Sequence, residues 1–384
     1  MIGAAVLGST GSIGVQALDV MRALDMRPTS LAAHANTELL ERQAREFKPE
    51  LVAVSDENAA RRLRVSLADT GVRVIGGAGA LAEAASLPGA DTVLIAVTGA
   101  AGLEPALAAI GAGKRLALAT KETLARAGRH VMARAAERGV EVIPVDSEHS
   151  AVFQCLETGR RSAPERVWLT ASGGPFYGRG EQALSGVTPE QAVSHPTWRM
   201  GRKVSVDSAT LFNKGLECIE AMYLFGLEPE QIQVVIHRQS IVHALVEYAD
   251  GAVIAQMGAP DMRLPIQYAL TYPNRAPCPA KRLDLAQAMA LTFEPPDLGA
   301  LPCLRLAMDA MRDGDGAICA LSAANEAAVK AFLNCEIKFT GIAGVIAEGL
   351  KAADNCPPAP SLDDLAAIDA EARERAAHVI ERGA

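Results

Sequence analysis

Ala4-Ala5-Val6-Leu7 runs directly into Gly8-Ser9-Thr10-Gly11-Ser12-Ile13-Gly14, and this junction decides the fold. Four apolar residues, a glycine loop and a helix-compatible stretch predict a strand, a tight turn and a helix. Glycines in such a turn let the backbone approach a pyrophosphate, whose charge is favoured at the helix N-terminus. The spacing is Gly-x-x-Gly-x-x-Gly rather than Gly-x-Gly-x-x-Gly. The pattern is therefore informative through its position at the first strand–helix turn, and the alternative is a tight turn that binds nothing.

Outward from this junction the rhythm repeats. Apolar runs at 4–7, 29–33, 51–54, 72–75, 91–97, 115–119 and 141–145 alternate with helix-like stretches such as 37–47, 56–68 and 122–138. Such alternation predicts βαβ units and a parallel, doubly wound (Rossmann-like) sheet over 1–146. Beyond 146 the spacing predicts a helix at 148–158, a strand at 166–171, a Gly/Pro-rich loop region at 172–201 and one long helix from Asp207 to near Gly226. Runs at 232–237, 241–248 and 252–257 follow, the last two joined across Ala249-Asp250-Gly251 as a hairpin. Thus 147–272 reads as an α+β catalytic domain, the proline-rich 273–297 as a surface linker, and the Ala-rich 298–384 as a helical bundle.

The 384 residues carry a formal net charge of −8, which argues against nucleic-acid or anionic-membrane partners. No apolar run has the length of a membrane span and no signal peptide is visible, so the expected location is the cytoplasm. Seven scattered cysteines without a Cys-x-x-Cys fit a reducing compartment.

Candidate chemistry gathers at a few places. After the second strand, Ala33-His34-Ala35-Asn36 lacks the acid that an NAD-specific turn places on the ribose, and it lacks a basic residue as well. His34 and Asn36 either hydrogen-bond a 2′-phosphate or shape the turn. Asp146-Ser147-Glu148 ends the last parallel strand. If extended, it points both carboxylates the same way, as a hard cation such as Mg²⁺ or Mn²⁺ requires; solvated surface charge is the plainer reading. Asn213, Lys214 and Glu217 share one face of a helix, the spacing of an ordinary surface ion pair. Ser172-Gly173-Gly174 and Ser208 offer hydroxyls and backbone donors suited to a phosphate. His195-Pro196-Thr197-Trp198-Arg199-Met200-Gly201 places large apolar side chains in a Gly/Pro-bounded loop, the pattern of a lid.

Taken in order, these segments resemble the 1-deoxy-D-xylulose 5-phosphate reductoisomerase family over essentially the whole chain. The resemblance rests on residues 8–14, 121–122, 144–149, 171–176, 195–217, 258–266 and 323–329, of which 195–217 is the most specific. It implies an N-terminal NADPH domain, a central catalytic domain and a C-terminal helical bundle in a homodimer. It also implies that Asp146, Glu148 and Glu217 hold the divalent metal. Ser172, Ser208, Asn213 and Lys214 would hold the substrate phosphate, with His195 closing over it. Lys121, Ser147 and Glu148 would contact the substrate, and Trp198 and Met200 would cover substrate and nicotinamide. Glu122 and Gly201 join Gly8–Gly14, His34 and Asn36 as cofactor contacts. The implied reaction is a skeletal rearrangement of a sugar phosphate followed by reduction with NADPH, with Glu148 and Lys121 as candidate proton carriers. Two departures stand out: His237-Arg238-Gln239-Ser240 has arginine where the family has proline, and the His34–Asn36 turn lacks the usual basic residue. The competing functions are an NADP- and metal-dependent hydroxy-acid dehydrogenase, which has no use for a phosphate cluster, and a non-catalytic NADPH sensor, which has no use for three carboxylates.

The missing acid after the second strand predicts a higher kcat/KM with NADPH than with NADH. Steady-state rates with the two cofactors check this, and equal values would show that the His34–Asn36 turn does not discriminate.

Overall fold

The regular apolar runs become seven short strands: β1 Ala4–Leu7, β2 Pro28–Ala33, β3 Leu51–Val54, β4 Arg73–Gly76, β5 Thr92–Ile95, β6 Arg115–Leu118 and β7 Val142–Pro144. All pair in parallel, in the order β4-β3-β2-β1-β5-β6-β7. Helices α1 Ser12–Ala23, α2 Thr37–Phe47, α3 Glu57–Ser66, α4 Ala80–Ser86, α5 Leu103–Gly111 and α6 Lys121–Arg138 connect them, and α7 Ser147–Gly159 follows β7. Every residue of β1, β3 and β5 is buried, which is why these strands read as unbroken apolar runs rather than alternating ones. The computed structural model describes residues 3–159, 162–198, 200–287 and 290–383, with Glu181 described by its backbone alone.

The strand order winds outward from β1 in both directions, so the β1/β5 junction is the topological switch point where such sheets bind ligands. The glycine loop lies there. Gly8 has φ +88°, and a Cβ on it would stand 2.3 Å from the Ala96 carbonyl oxygen. A Cβ on Gly14 would stand 2.2 Å from the Gly8 oxygen and 2.5 Å from Ser9 Cα. These glycines are required by the close approach of loop, helix and neighbouring strand.

The chain forms two compact units. The first comprises Met1–Thr123, His130–Ser150 and Asp261–Arg282. Its last segment, placed with the catalytic domain and linker by the sequence pattern, holds α12 Arg263–Thr271, which packs on α1. The Arg115 guanidinium fixes that segment, donating to the Tyr272 carbonyl at 2.9 Å and lying 5.6 Å over the Tyr272 ring.

The second unit comprises Leu124–Arg129, Ala151–Pro260 and Leu283–Ala384. Its sheet has the order β11-β10-β8-β9, from β8 Pro164–Ala171, β9 Ile232–Ile236, β10 Val242–Tyr248 and β11 Val253–Met257. β10 and β11 form the expected antiparallel hairpin, and β8 pairs in parallel with β9. Two short helices, α8 Glu181–Leu184 and α9 Pro189–Ala192, interrupt the loop region. The C-terminal helices α13 Cys303–Asp313, α14 Asp315–Leu333, α15 Ile342–Leu350 and α16 Leu362–Glu381 do form, but they share one apolar core with the sheet, including Leu169, Phe176, Ile219, Phe332 and Phe339. Among the described residues α14 alone is long and apolar enough to cross a membrane, and most of it is buried in this core.

The single helix expected from Asp207 is instead two. α10 spans Arg202–Ala209, α11 spans Phe212–Phe225, and Leu211 between them has φ +59°. Thr210 causes the break: its hydroxyl bonds back to the Val206 and Asp207 carbonyls and accepts the Phe212 N–H, in competition with the helical ladder. Helix α6 also bends, at Ala127 (φ −152°, ψ 40°). Beside the bend, a Cβ on Gly128 would stand 2.3 Å from the Tyr223 ring, and Asp315 accepts from Arg129 at 2.5 Å and from the Tyr223 hydroxyl at 2.8 Å. The loop that lacks the family proline is held by other means. His237 Nδ1 donates to the Thr292 carbonyl at 2.9 Å, its Nε2 accepts the Ile241 and Val242 N–H groups, and Arg238 lies 5.2 Å over the Tyr177 ring.

Gly14→Ala forces the glycine loop away from the helix and is expected to cost about 1–3 kcal/mol, with loss of dinucleotide binding. Thermal unfolding and dinucleotide titration of the variant check both effects.

Candidate active site

In the first unit the site begins at the ends of β6 and β7. Lys121 opens α6, and its ammonium donates to the Asp146 carboxylate, which is only 7% exposed. Asp146 was expected in an extended segment, but the chain turns helical immediately: Asp146 caps α7, its Oδ1 accepting the Glu148 N–H at 3.2 Å and its carbonyl accepting the Ser150 N–H at 2.8 Å. Aspartate is among the preferred N-cap residues, and that local preference overrides continuation of the strand. The two carboxylates nevertheless converge, with an oxygen of each within 4.8 Å of the other, and the Ser147 hydroxyl donates to Glu148.

The dinucleotide candidates sit in the same unit. Gly8 and Ser9 donate their backbone N–H groups to the Ala32 carbonyl at 2.8 Å, and Gly11 caps α1. The Ser9 side chain is wholly buried and turned inward, donating to Gln43 Oε1 at 2.8 Å, while Gln43 Nε2 returns a bond to the Ser9 carbonyl. Ser9 therefore offers a ligand no hydroxyl, in contrast to half-buried Thr10 and exposed Ser12. Ile13 is half-buried on α1. His34 is exposed and bonded through Nδ1 to Ser55 Oγ at 2.8 Å. Asn36 caps α2, accepting the Leu39 N–H at 3.3 Å. Glu122 is half-buried in the first turn of α6. Gln43 had no role in the sequence pattern, although a glutamine on the apolar face of an otherwise regular helix was a visible signal.

The second unit holds the remaining candidates. Lys214 and Glu217, which spacing alone suggests as a surface pair, are buried: their side chains are 4% and 1% exposed. Lys214 Nζ donates to one carboxylate oxygen of Glu217 and Asn213 Nδ2 donates to the other. One helical turn thus presents a carboxylate, an amide and an ammonium with their charges matched locally. Glu220, one turn further on, is also fully buried and carried no prediction.

Beside this helix lies a hydroxyl-rich loop. Gly173 and Gly174 have φ +83° and +69°, and a Cβ on Gly174 would stand 2.8 Å from the Ser208 carbonyl oxygen. That close approach brings the Ser172 loop against the end of α10. Ser172 Oγ bonds His195 Nε2 at 2.9 Å and accepts the Gly174 N–H at 3.2 Å. His195 Nδ1 accepts the Thr197 and Trp198 N–H groups at 3.1 and 2.9 Å, so the ring proton resides on Nε2 and is donated to Ser172. Both lone pairs of Ser172 Oγ are then engaged, leaving its own proton as a donor for an anion. Trp198 is half-buried, its ring 6.3 Å from that of His243. Met200 is half-buried and Gly201 caps α10; Arg199 lies outside the described residues.

Three family models match in succession: 1-deoxy-D-xylulose 5-phosphate reductoisomerase at residues 4–128, its C-terminal domain at 142–225, and the DXP reductoisomerase C-terminal domain at 257–375. The reductoisomerase of Acetivibrio thermocellus is 49% identical over 369 residues, which span 96% of this chain and 97% of that protein. The chain belongs to the 1-deoxy-D-xylulose 5-phosphate reductoisomerase family. The Agathobacter rectalis reductoisomerase is 50% identical over 94% of this chain and 95% of its own length. Among solved structures, a reductoisomerase complexed with NADPH, fosmidomycin and magnesium is 39% identical, with a TM-score of 0.94 over 100% of both chains. The Zymomonas mobilis enzyme in complex with NADPH is 42% identical, with a TM-score of 0.89 over 99% of both. The fold class read from the glycine loop and the alternating runs therefore holds for this family at full length.

Burial lowers the His195 pKa below the ordinary 6.5 by disfavouring the cation. The neutral ring is the form that accepts both loop N–H groups, so the clasp is intact at neutral pH and is lost as pH falls through that lowered value. Trp198 fluorescence is expected to stay constant above neutrality and to change only at pH below 6.5. Titration of the protein against a Trp198→Phe control checks this; a transition above 6.5 contradicts the assigned tautomer.

Proposed function

We propose that the chain converts 1-deoxy-D-xylulose 5-phosphate to 2-C-methyl-D-erythritol 4-phosphate, rearranging the carbon skeleton and then reducing the product with NADPH. The observation that carries this reading is the buried Asn213–Lys214–Glu217 turn beside the Ser172–His195 loop. A phosphorylated substrate requires such a set, and neither a hydroxy-acid dehydrogenase nor an NADPH sensor does.

The donor sets fit the groups this reading needs. Asp146, Glu148 and Glu217 are carboxylates with hard oxygen donors, suited to one shared Mg²⁺ or Mn²⁺. The glycine cradle, where a side chain at Gly8 or Gly14 would collide with backbone, suits a pyrophosphate. When bound, the cation supplies Lewis-acid polarisation of the substrate's ketone and hydroxyl oxygens. When bound, NADPH supplies the hydride.

The rest is done by the chain itself. Ser172, Ser208, Asn213 and Lys214 hold the phosphate, using binding energy remote from the reacting carbons to orient them. Lys121 and Ser147 hold substrate hydroxyls, and Glu148 or the Lys121 ammonium moves the proton that the rearrangement requires. His195 closes the loop on Ser172, and Trp198 and Met200 exclude water from the reacting carbonyl. Residues 1–146 bind the dinucleotide and contribute Lys121 and Asp146, and 147–272 carry the rest of the catalytic set. The segment 273–297 links these to the helices of 298–384.

The protein works as a homodimer in the cytoplasm. β11 is an outer strand of its sheet and exposes Val253, Ile254 and Met257, an edge that a second copy would cover. All seven cysteines are free, which suits a reducing compartment.

Incubation with 1-deoxy-D-xylulose 5-phosphate, NADPH and Mg²⁺ is expected to yield the branched polyol phosphate, identified by NMR and mass spectrometry. Glu217→Gln lowers turnover by orders of magnitude and leaves NADPH binding intact. NADPH oxidation giving an unbranched product, or near-normal turnover of the variant at saturating Mg²⁺, contradicts the reading.

A further inference from the structure

Asn325 lies wholly buried in α14, where its amide donates to Asp207 Oδ1 at 2.9 Å. Asp207 is 1% exposed and receives Lys203 Nζ on its other oxygen at 2.8 Å. Among the described residues, Asn325 Oδ1 has no hydrogen-bond partner. A buried carboxylate and an unsatisfied buried amide oxygen both cost stability. Apolar residues at both 207 and 325 would pack α14 against α10 without either cost. The pair therefore does something that packing alone does not.

What it fixes is the last turn of α10. Asp207 directly precedes Ser208, and Gly174 of the Ser172 loop lies flush against the Ser208 carbonyl. The Asp207 carbonyl accepts the Thr210 hydroxyl at 3.1 Å, at the corner that leads through Leu211 to Asn213 and Lys214. A charged hydrogen bond from the core helix thus ends at the junction of three groups assigned to the phosphate: Ser172, Ser208 and the Asn213–Lys214 pair.

We propose that Asn325 and Asp207 are positioning residues for substrate phosphate, holding Ser208 in register with Ser172 and Asn213. This rests on the phosphate assignment made above. Neither residue touches the reacting carbons, so the effect belongs in substrate affinity rather than in the chemical step.

The test is steady-state kinetics of the full-length protein with 1-deoxy-D-xylulose 5-phosphate, NADPH and Mg²⁺, for Asn325→Leu, Ser208→Ala and the double variant. Asn325→Leu is expected to raise KM for the sugar phosphate about tenfold while kcat stays within about twofold. NADPH affinity is unchanged. Ser208→Ala raises KM on its own but adds little in the Asn325→Leu background, because both act through one contact. Asn325→Ser, whose hydroxyl is too short to reach Asp207, gives the same pattern and replaces the leucine variant if that one does not fold. A fall in kcat and melting temperature with KM unchanged, or fully multiplicative effects in the double variant, overturns the proposal. Wild-type KM in Ser208→Ala overturns the phosphate assignment itself, and the inference with it.

Discussion

The Glu217 carboxylate is the constraint around which the second unit is arranged. At 1% exposure it stays charged only with partners at hand, and Lys214 and Asn213 supply them from the same turn of α11. Removing one partner from such a buried pair costs on the order of 3–5 kcal/mol. Asn213, Lys214 and Glu217, at i, i+1 and i+4, are then accommodated along a helix whose other buried residues, Glu220 apart, are apolar. Helix α11 meets that demand by starting afresh at Phe212 after the left-handed Leu211 and by stopping at Gly226, also left-handed with φ +62°. The break at Thr210 sets the angle at which α10 delivers Ser208, and the Gly173–Gly174 turn brings Ser172 to it. Local chain chemistry at Thr210, the buried charge of Glu217 and the turn at Gly173–Gly174 together shape the candidate phosphate cradle.

Much of the architecture was legible because its signals are local. Each strand of the parallel sheet is a short apolar run bounded by turn residues, and the β10–β11 hairpin is marked by Asp250-Gly251. The glycine loop was legible because only glycine tolerates its contacts. What sequence spacing missed was decided by competition between neighbours. Asp146 reads as the end of a strand, yet aspartate caps helices well, so α7 begins at Ser147. Thr210 reads as a helical residue, yet its hydroxyl bonds the backbone and ends α10 early. The C-terminal helices form as their spacing predicts; helical period reveals which face is apolar but not that the sheet shares their core.

The candidate site shows the same division. Lys214 and Glu217 have the spacing of a surface ion pair, and nothing in that spacing tells that both are buried. Ser9, one of the glycine-loop candidates, spends its hydroxyl on Gln43, a partner 34 residues away that no local motif announces. His195 was expected to meet an anion, for which a cation would serve best, yet burial keeps the ring neutral and makes it the clasp that folds 195–198 and aims Ser172. One imidazole thus ties the backbone of 197–198 to the Ser172 hydroxyl, the link through which the proposed lid and phosphate cradle would be coupled.

The central claim of the proposed function is that Asp146 and Glu148, at the start of α7, and the buried glutamate of α11 serve one cation. Mn²⁺ binding followed by electron paramagnetic resonance tests it most directly, in the unaltered protein, in Asp146→Asn and in Glu217→Gln. One tight Mn²⁺ per chain, weakened severely by either substitution, is the predicted result. Unchanged Mn²⁺ affinity in Glu217→Gln, with the site lost only in Asp146→Asn, would contradict it.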